Sequence, residues 1–249
     1  MNPNLPEANK NTSALRRVLE FPTMNERPKL VLASNSPRRK DLLALGGWQF
    51  EVIVSDTDES LLPDELPRDY VRRLAIEKAK ACTARADASQ LILAADTTVV
   101  NGDSMLGKPA DPAEAERMLR QLRGRVHQVF TGIALLRARD GNLLTDVCVT
   151  DVPMRPYSED EIKAYVATGD PLDKAGAYAI QHPDFQPVEN MQGCYASVMG
   201  LPLCHVTRLL AQMDMQPRAN VPGNCQSFLD YQCPVYAGIL GSNLIVERK

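Results

Sequence analysis

The stretch KLVLASNSPRRKDLLALGG, residues 29–47, passes from strand to turn to helix within one short run. KLVLA is an apolar segment of the length of a buried strand, SNSP supplies turn and cap residues, and RRKDLLAL is a helix stopped by Gly46 and Gly47. Ser36 is a natural N-cap and Pro37 a natural first helical residue, so Arg38 and Arg39 fall in the first turn. The helix macrodipole is positive there and disfavours cations by about 0.3 to 1 kcal/mol each. Two arginines beside free backbone N–H groups make an anion receptor, with phosphate the first candidate. The plainer alternative is a solvated pair with Asp41 as a nearby partner.

The same interleaving continues outward. FEVIV (50–54) reads as a second strand, and after the acidic segment SDTDESLLPDELP (55–67) a long helix is expected over 68–85, with no Gly or Pro inside it. LILAADTTVV (91–100) is strand-like and NGDS (101–104) a turn. DPAEAERMLRQLRG (111–124) is a helix opened by Asp111 and Pro112 and closed by Gly124. VHQVFTGIALLRA (126–138) and LLTDVCVTDVPMR (143–155) predict a long hairpin turning at Asp140-Gly141. SEDEIKAYVATG (158–169) is a short helix with a Ser158–Glu161 capping box. DKAGAYAIQ (173–181) and the segment around Val188 read as strands, and LPLCHVTRLLAQM (201–213) as a closing helix. Interleaved strands and helices point to an α/β or α+β sheet protein. Residues 1–27 read as a flexible N-terminal extension, 28–216 as the folded domain, and 217–249, where the periodicity fades, as a tail of unknown role.

Three further positions carry chemistry. Val71, Leu74, Ala75, Lys78, Ala79 and Cys82 share one helical stripe, so Lys78 must either snorkel out or face a polar cleft. Asp96 ends the apolar run LILAA, where sheet proteins of this type place ligands. A carboxylate there can hold Mg²⁺ or take a proton from water, or simply serve a turn. GDSMLGKP (102–109) imitates a phosphate-binding P-loop but fails at its last position. Pro109 lacks both the metal-ligating hydroxyl and the N–H of a phosphate nest, and holds Lys108 out of helical geometry. Lys108 remains as an extended cation. His127, His182 and His205 share no ligand spacing, and His127 on a strand reads as a packed or hydrogen-bonded residue.

The chain has 249 residues, 44% hydrophobic and 24% charged, and a formal net charge of -3, which excludes a fibrous or wholly disordered chain and gives no reason to expect nucleic acid. No apolar run is long enough to span a bilayer and the start lacks a signal-peptide core, so no membrane partner and a cytoplasmic location are expected. The six cysteines form no C-x-x-C pair, and reduced thiols are the expectation.

Taken in order, ASNSPRR (33–39), PRDYVRRLAIEKA (67–79), AADTTVV (94–100), LGKP (106–109), LRGRVHQVFTG (122–132), DKAGAYAIQ (173–181) and VMGLPL (198–203) resemble the Maf family of nucleoside triphosphate pyrophosphatases. The resemblance implies an elongated α/β fold with a strongly twisted mixed sheet flanked by helices, two lobes about a central cleft, shared in outline with inosine triphosphate pyrophosphatases. It implies hydrolysis of a nucleoside triphosphate to the monophosphate and pyrophosphate with a divalent cation, Mg²⁺ or Mn²⁺, and a homodimer as its usual assembly. Asp96 matches the family's proton acceptor, and Ser34, Arg38, Lys78 and Lys108 match positions that contact the triphosphate. Glu59, with Asp96, matches the carboxylates at the metal. Arg39, Thr97 and Gln181 stand where family branches differ, and this combination resembles the branch acting on thymidine and uridine triphosphates. The first 27 residues, the tail and the absence of Gly after AIQ depart from the pattern. The competing classes are a P-loop-like ATPase, which releases orthophosphate, and a non-catalytic regulator of septum formation and division.

Overall fold

The computed structural model describes residues 29–54 and 56–242; the expected extension 1–27 lies outside them. Six strands form one mixed sheet: β1 (Leu30–Leu32), β2 (Phe50–Val52), β3 (Leu91–Asn101), β4 (Ser104–Leu106), β5 (Val126–Arg137) and β6 (Leu143–Pro153). Their order is β2-β1-β3-β5-β6, with β4 on β3. β1 pairs in parallel with β2 and β3, because helical crossovers link them, whereas β3, β5 and β6 are antiparallel. β5 is the expected hairpin's first arm; at 12 residues it runs about 40 Å, so the sheet is long and narrow.

Period-two alternation along β3 sends Leu91, Leu93 and Ala95 into one core and Ile92 and Ala94 into another on the opposite face. The larger core lies under α1 (Pro37–Ala44), α3 (Pro112–Leu122), α4 (Glu159–Ala167) and α6 (Leu203–Ala211). The smaller one is covered by α2 (Pro67–Ala81), whose Ala75 and Ala79 are fully buried. Small residues here let helix and sheet approach closely. The limit is reached at Gly132, where an added Cβ would stand 2.4 Å from the Val71 carbonyl oxygen of α2. Gly132 is directly opposite Asp96 in the β3–β5 register, so this contact sets the height of α2 above the site. Gly132→Ala is therefore expected to cost about 3 kcal/mol, the upper end for overpacking, since helix backbone rather than a side-chain tip must move. Chemical denaturation measures this, and an unchanged midpoint would refute the tight contact.

Two expected strands are not formed. Within 173–181, Gly176 and Ala177 have φ of 71° and 60°, outside strand geometry, and Ala175–Ala177 is a 3₁₀ turn. Val188 contributes only an isolated bridge to Met154. The long helix ends at Ala81, four residues short of the expected limit, with a separate 3₁₀ turn over Thr83–Arg85. The Ser158–Glu161 capping box is present. The described part of the tail folds as two helices, α7 (Val221–Leu229) and α8 (Tyr236–Gly241), fastened to the domain. Asn224 donates to the Leu45 carbonyl, and Arg208 of α6 donates to that of Ile239. The four-residue α5 (Tyr195–Val198) sits beside β5 and leads into Gly200.

Candidate active site

Asp96 lies in the middle of β3, not at its end as the sequence suggested. The strand continues because β5 pairs with it from Leu91 to Val100. The other edge of β3 is different. β1 covers residues 91–93 and β4 covers 99–101, which leaves residues 94–98 with no strand neighbour on that side among the described residues. The gap opens beyond the carboxyl end of β1, where the chain turns through Ser34 into α1, and it forms a cleft of about 570 Å³. The alternation of β3 gives this gap two kinds of wall, with Asp96 toward α2 and Thr97 toward α1 and α5.

Every residue expected at the site lines this one cleft: Ser34, Arg38 and Arg39 from the β1–α1 turn, Glu59 from the acidic loop, and Lys78 from α2. Asp96 and Thr97 come from β3, Lys108 from the loop after β4, and Gln181 from the 173–181 segment. Lys174 and Asp173 join them, giving five cations against three carboxylates in a chain of negative net charge.

Lys78 resolves the choice left by its helical stripe. It faces the cleft, with Nζ 2.6 Å from Asp96 Oδ1 and 2.6 Å from Glu59 Oε1. The acidic loop is brought to it by α2 itself: the Tyr70 hydroxyl donates to the Glu59 carbonyl at 2.9 Å, and Arg73 donates to the Ser60 carbonyl at 3.0 Å. Burial alone would raise the Glu59 carboxyl, but its hydrogen bond to Lys78 and the charges of Lys78, Lys108 and Arg39 outweigh that and hold it below its usual value. Tyr70 is pushed up to about 12 by burial and by the charges of Asp96 and Glu59, so it serves as a neutral donor. Periodicity gave no hint of Tyr70, since it stands one residue before the apolar stripe.

Ser36 takes the N-cap position of α1 with Pro37 after it, yet its side chain makes no cap bond; instead Ser34 Oγ accepts from the Ser36 N–H at 3.3 Å. Arg39 is clamped from three directions. Its Nε donates to the Gly200 carbonyl at 2.9 Å, Nη1 to Ser34 Oγ at 3.3 Å and Nη2 to Thr97 Oγ1 at 3.3 Å. Burial lowers its pKa, against the pull of Asp96 and with the push of Arg38. A guanidinium stays charged regardless, so the result is a poorly solvated, rigid cation that gains from an incoming anion or carbonyl. Gly200 has φ of 102°, and a Cβ there would stand 3.2 Å from Arg39 Nε and 3.3 Å from Thr97 Oγ1. Only glycine leaves both contacts room.

Lys108 is exposed and Pro109 buried, and the next helix begins at Pro112 rather than at the lysine. This is not P-loop geometry. The loop is tied across the cleft by the Gly176 N–H, which donates to the Gly107 carbonyl at 3.0 Å. His127 is packed, as its strand position suggested, with Nε2 2.8 Å from the Tyr178 hydroxyl. Burial lowers it to about 4, so it is neutral and supports the 173–181 segment from below. Among the described residues no group of three or more His, Cys, Asp or Glu is arranged to hold a metal ion, and no helix is long and apolar enough to cross a membrane.

The chain belongs to the family of Maf-like proteins, whose sequence model matches residues 29–213. Two relatives lie close. The dTTP/UTP pyrophosphatase of Geobacter sulfurreducens is 49% identical over 189 residues, covering 76% of this chain and 98% of its own. That of Hahella chejuensis is 45% identical over 192 residues, covering 76% and 94%. The solved structure of the Staphylococcus aureus Ham1 protein aligns over 81% of this chain and 97% of its own, at 17% identity and a TM-score of 0.41.

Proposed function

We propose that this cleft hydrolyses nucleoside triphosphates between the α and β phosphorus atoms, releasing the monophosphate and pyrophosphate, with dTTP and UTP as preferred substrates. The observation that carries the reading is the Lys78 bridge, which holds Asp96 and Glu59 as a fixed pair of carboxylates inside a ring of cations. A triphosphate brings about three to four negative charges, and Arg38, Arg39 and Lys108 supply the focused positive field that the chain as a whole lacks. Lys78 commits one oxygen of Asp96, so the other is free to take a proton from a water directed at the α-phosphorus.

The residues present fit a divalent cation of the Mg²⁺ or Mn²⁺ type. Such ions take one or two carboxylates and fill their remaining positions with phosphate oxygens and water, and Asp96 and Glu59 each keep one oxygen uncommitted to Lys78. When bound, the ion would neutralise charge on the departing pyrophosphate. Arg39, Thr97 and Gln181 all line the cleft and are the residues we assign to the base, and the two relatives' names support the choice of dTTP and UTP.

The test is a panel of UTP, dTTP, CTP, ATP and GTP with Mg²⁺ or Mn²⁺, reading the phosphorus product. Pyrophosphate with monophosphate is expected, fastest for UTP and dTTP. Orthophosphate with diphosphate would mean cleavage at the γ-phosphorus and would overturn the assignment.

A further inference from the structure

We propose that Thr131, which makes up none of the cleft surface, fixes the direction of the Thr97 hydroxyl and makes it a contact that only accepts hydrogen bonds. Through it, Thr131 becomes a positioning residue for selection of bases with an imide N–H. The inference rests on the uridine and thymidine reading above.

Thr131 is 0% exposed and pairs with Thr97 across β3 and β5. Its Oγ1 lies 2.8 Å from the Ser197 carbonyl oxygen and 3.0 Å from Thr97 Oγ1. Two oxygens in van der Waals overlap at that distance need a hydrogen between them. The carbonyl of Ser197 has none to give, so Thr131 donates its single hydrogen there. Ser197 also accepts from the Gly200 N–H at 2.9 Å, which holds the carbonyl in place for that bond. With its hydrogen spent, Thr131 can only accept from Thr97. Thr97 therefore turns its own hydrogen inward, and Arg39 Nη2 donates to one of its two lone pairs. One acceptor site on Thr97 remains for the cleft, and no donor.

Arg39 completes the pattern. Three of its five N–H groups are committed to Gly200, Ser34 and Thr97, so two remain, one on Nη1 and one on Nη2, the nitrogen that already reaches Thr97. The wall thus offers a donor next to an acceptor. Uracil and thymine present the complement, a carbonyl next to the N–H at ring position 3. Cytosine carries a bare nitrogen at that position, so lone pair would meet lone pair. Its amino donor lies one ring position away, and a triphosphate anchored on Arg38 and Lys108 fixes which position faces Thr97.

Thr131→Val keeps the shape and removes the acceptor, which frees the Thr97 hydroxyl to rotate and donate into the cleft. The ratio of kcat/KM for UTP over CTP is expected to fall by roughly tenfold or more, chiefly through a gain with CTP. Thr131→Ser, which keeps the hydroxyl, is expected to retain the wild-type ratio, and Thr131→Ala replaces the valine variant if that one does not fold. An equal fall with both nucleotides, leaving the ratio unchanged, would show a merely structural role and overturn the proposal. A wild-type enzyme that turns over CTP as readily as UTP would instead sink the uridine and thymidine reading on which it rests.

Discussion

Asp96→Asn is expected to lower kcat by roughly 10²- to 10⁴-fold while the affinity for nucleotide changes little, because the substitution removes the proposed proton acceptor and keeps the shape of the side chain. The amide is the same size as the carboxylate, and its oxygen can still accept from Lys78, now 2.6 Å from Asp96 Oδ1. The phosphate-facing cations are untouched. What is lost is the proposed basic oxygen, and with it one of the two carboxylates proposed for a divalent ion. The two losses separate on titration with Mg²⁺: if Asp96 acted only as a metal ligand, saturating Mg²⁺ would restore most of kcat, whereas a missing base leaves kcat low at every concentration. Near-normal turnover in either case would remove Asp96 from the chemistry.

The sequence displayed the charged half of this site because each charge broke a local rule. Arg38 and Arg39 sit at the wrong end of a helix, Lys78 interrupts an apolar stripe, and Asp96 interrupts an apolar strand. The capping box and the Asp140-Gly141 hairpin were legible for the same reason, since their causes lie within a few residues. The parts that escaped are those whose causes are distant. Thr131 is an unremarked threonine until the β3–β5 register sets it against Thr97. Tyr70 matters only once the acidic loop folds back onto α2. The 173–181 segment has a strand-like composition, but Gly176 and Ala177 take left-handed backbone, and the turn is held by the Gly107 carbonyl and by His127 under Tyr178, from loops and strands far away in sequence. The tail lacks long periodicity because α7 and α8 are short and fastened by single side chains such as Asn224 and Arg208.

Lys78→Met is expected to damage folding and catalysis together, and the pH dependence tells why. The lysine is 11% exposed and its partner Asp96 9%, against 48% for Glu59. Removing one member of a buried pair leaves an uncompensated charge, at a cost of about 3–5 kcal/mol at neutral pH, with the half-exposed Glu59 contributing little of it. In the intact protein Lys78 helps to hold the Glu59 carboxyl below its usual value. A depressed carboxyl stabilises the fold above its unfolded pKa, and that contribution disappears as the pH falls through the folded pKa. Without Lys78, burial acts on Glu59 with less opposition, so that carboxyl is easier to protonate. The stability deficit of Lys78→Met should therefore be largest near neutrality and shrink in acid, where the Glu59 carboxyl is uncharged in either protein. Turnover should fall alongside stability, because the same lysine ties Glu59 to Asp96 in the cleft. Urea denaturation and initial rates across the same pH series measure both. A deficit that stays constant with pH, with unchanged turnover, would mean that the lysine contributes only the packing of its aliphatic stem.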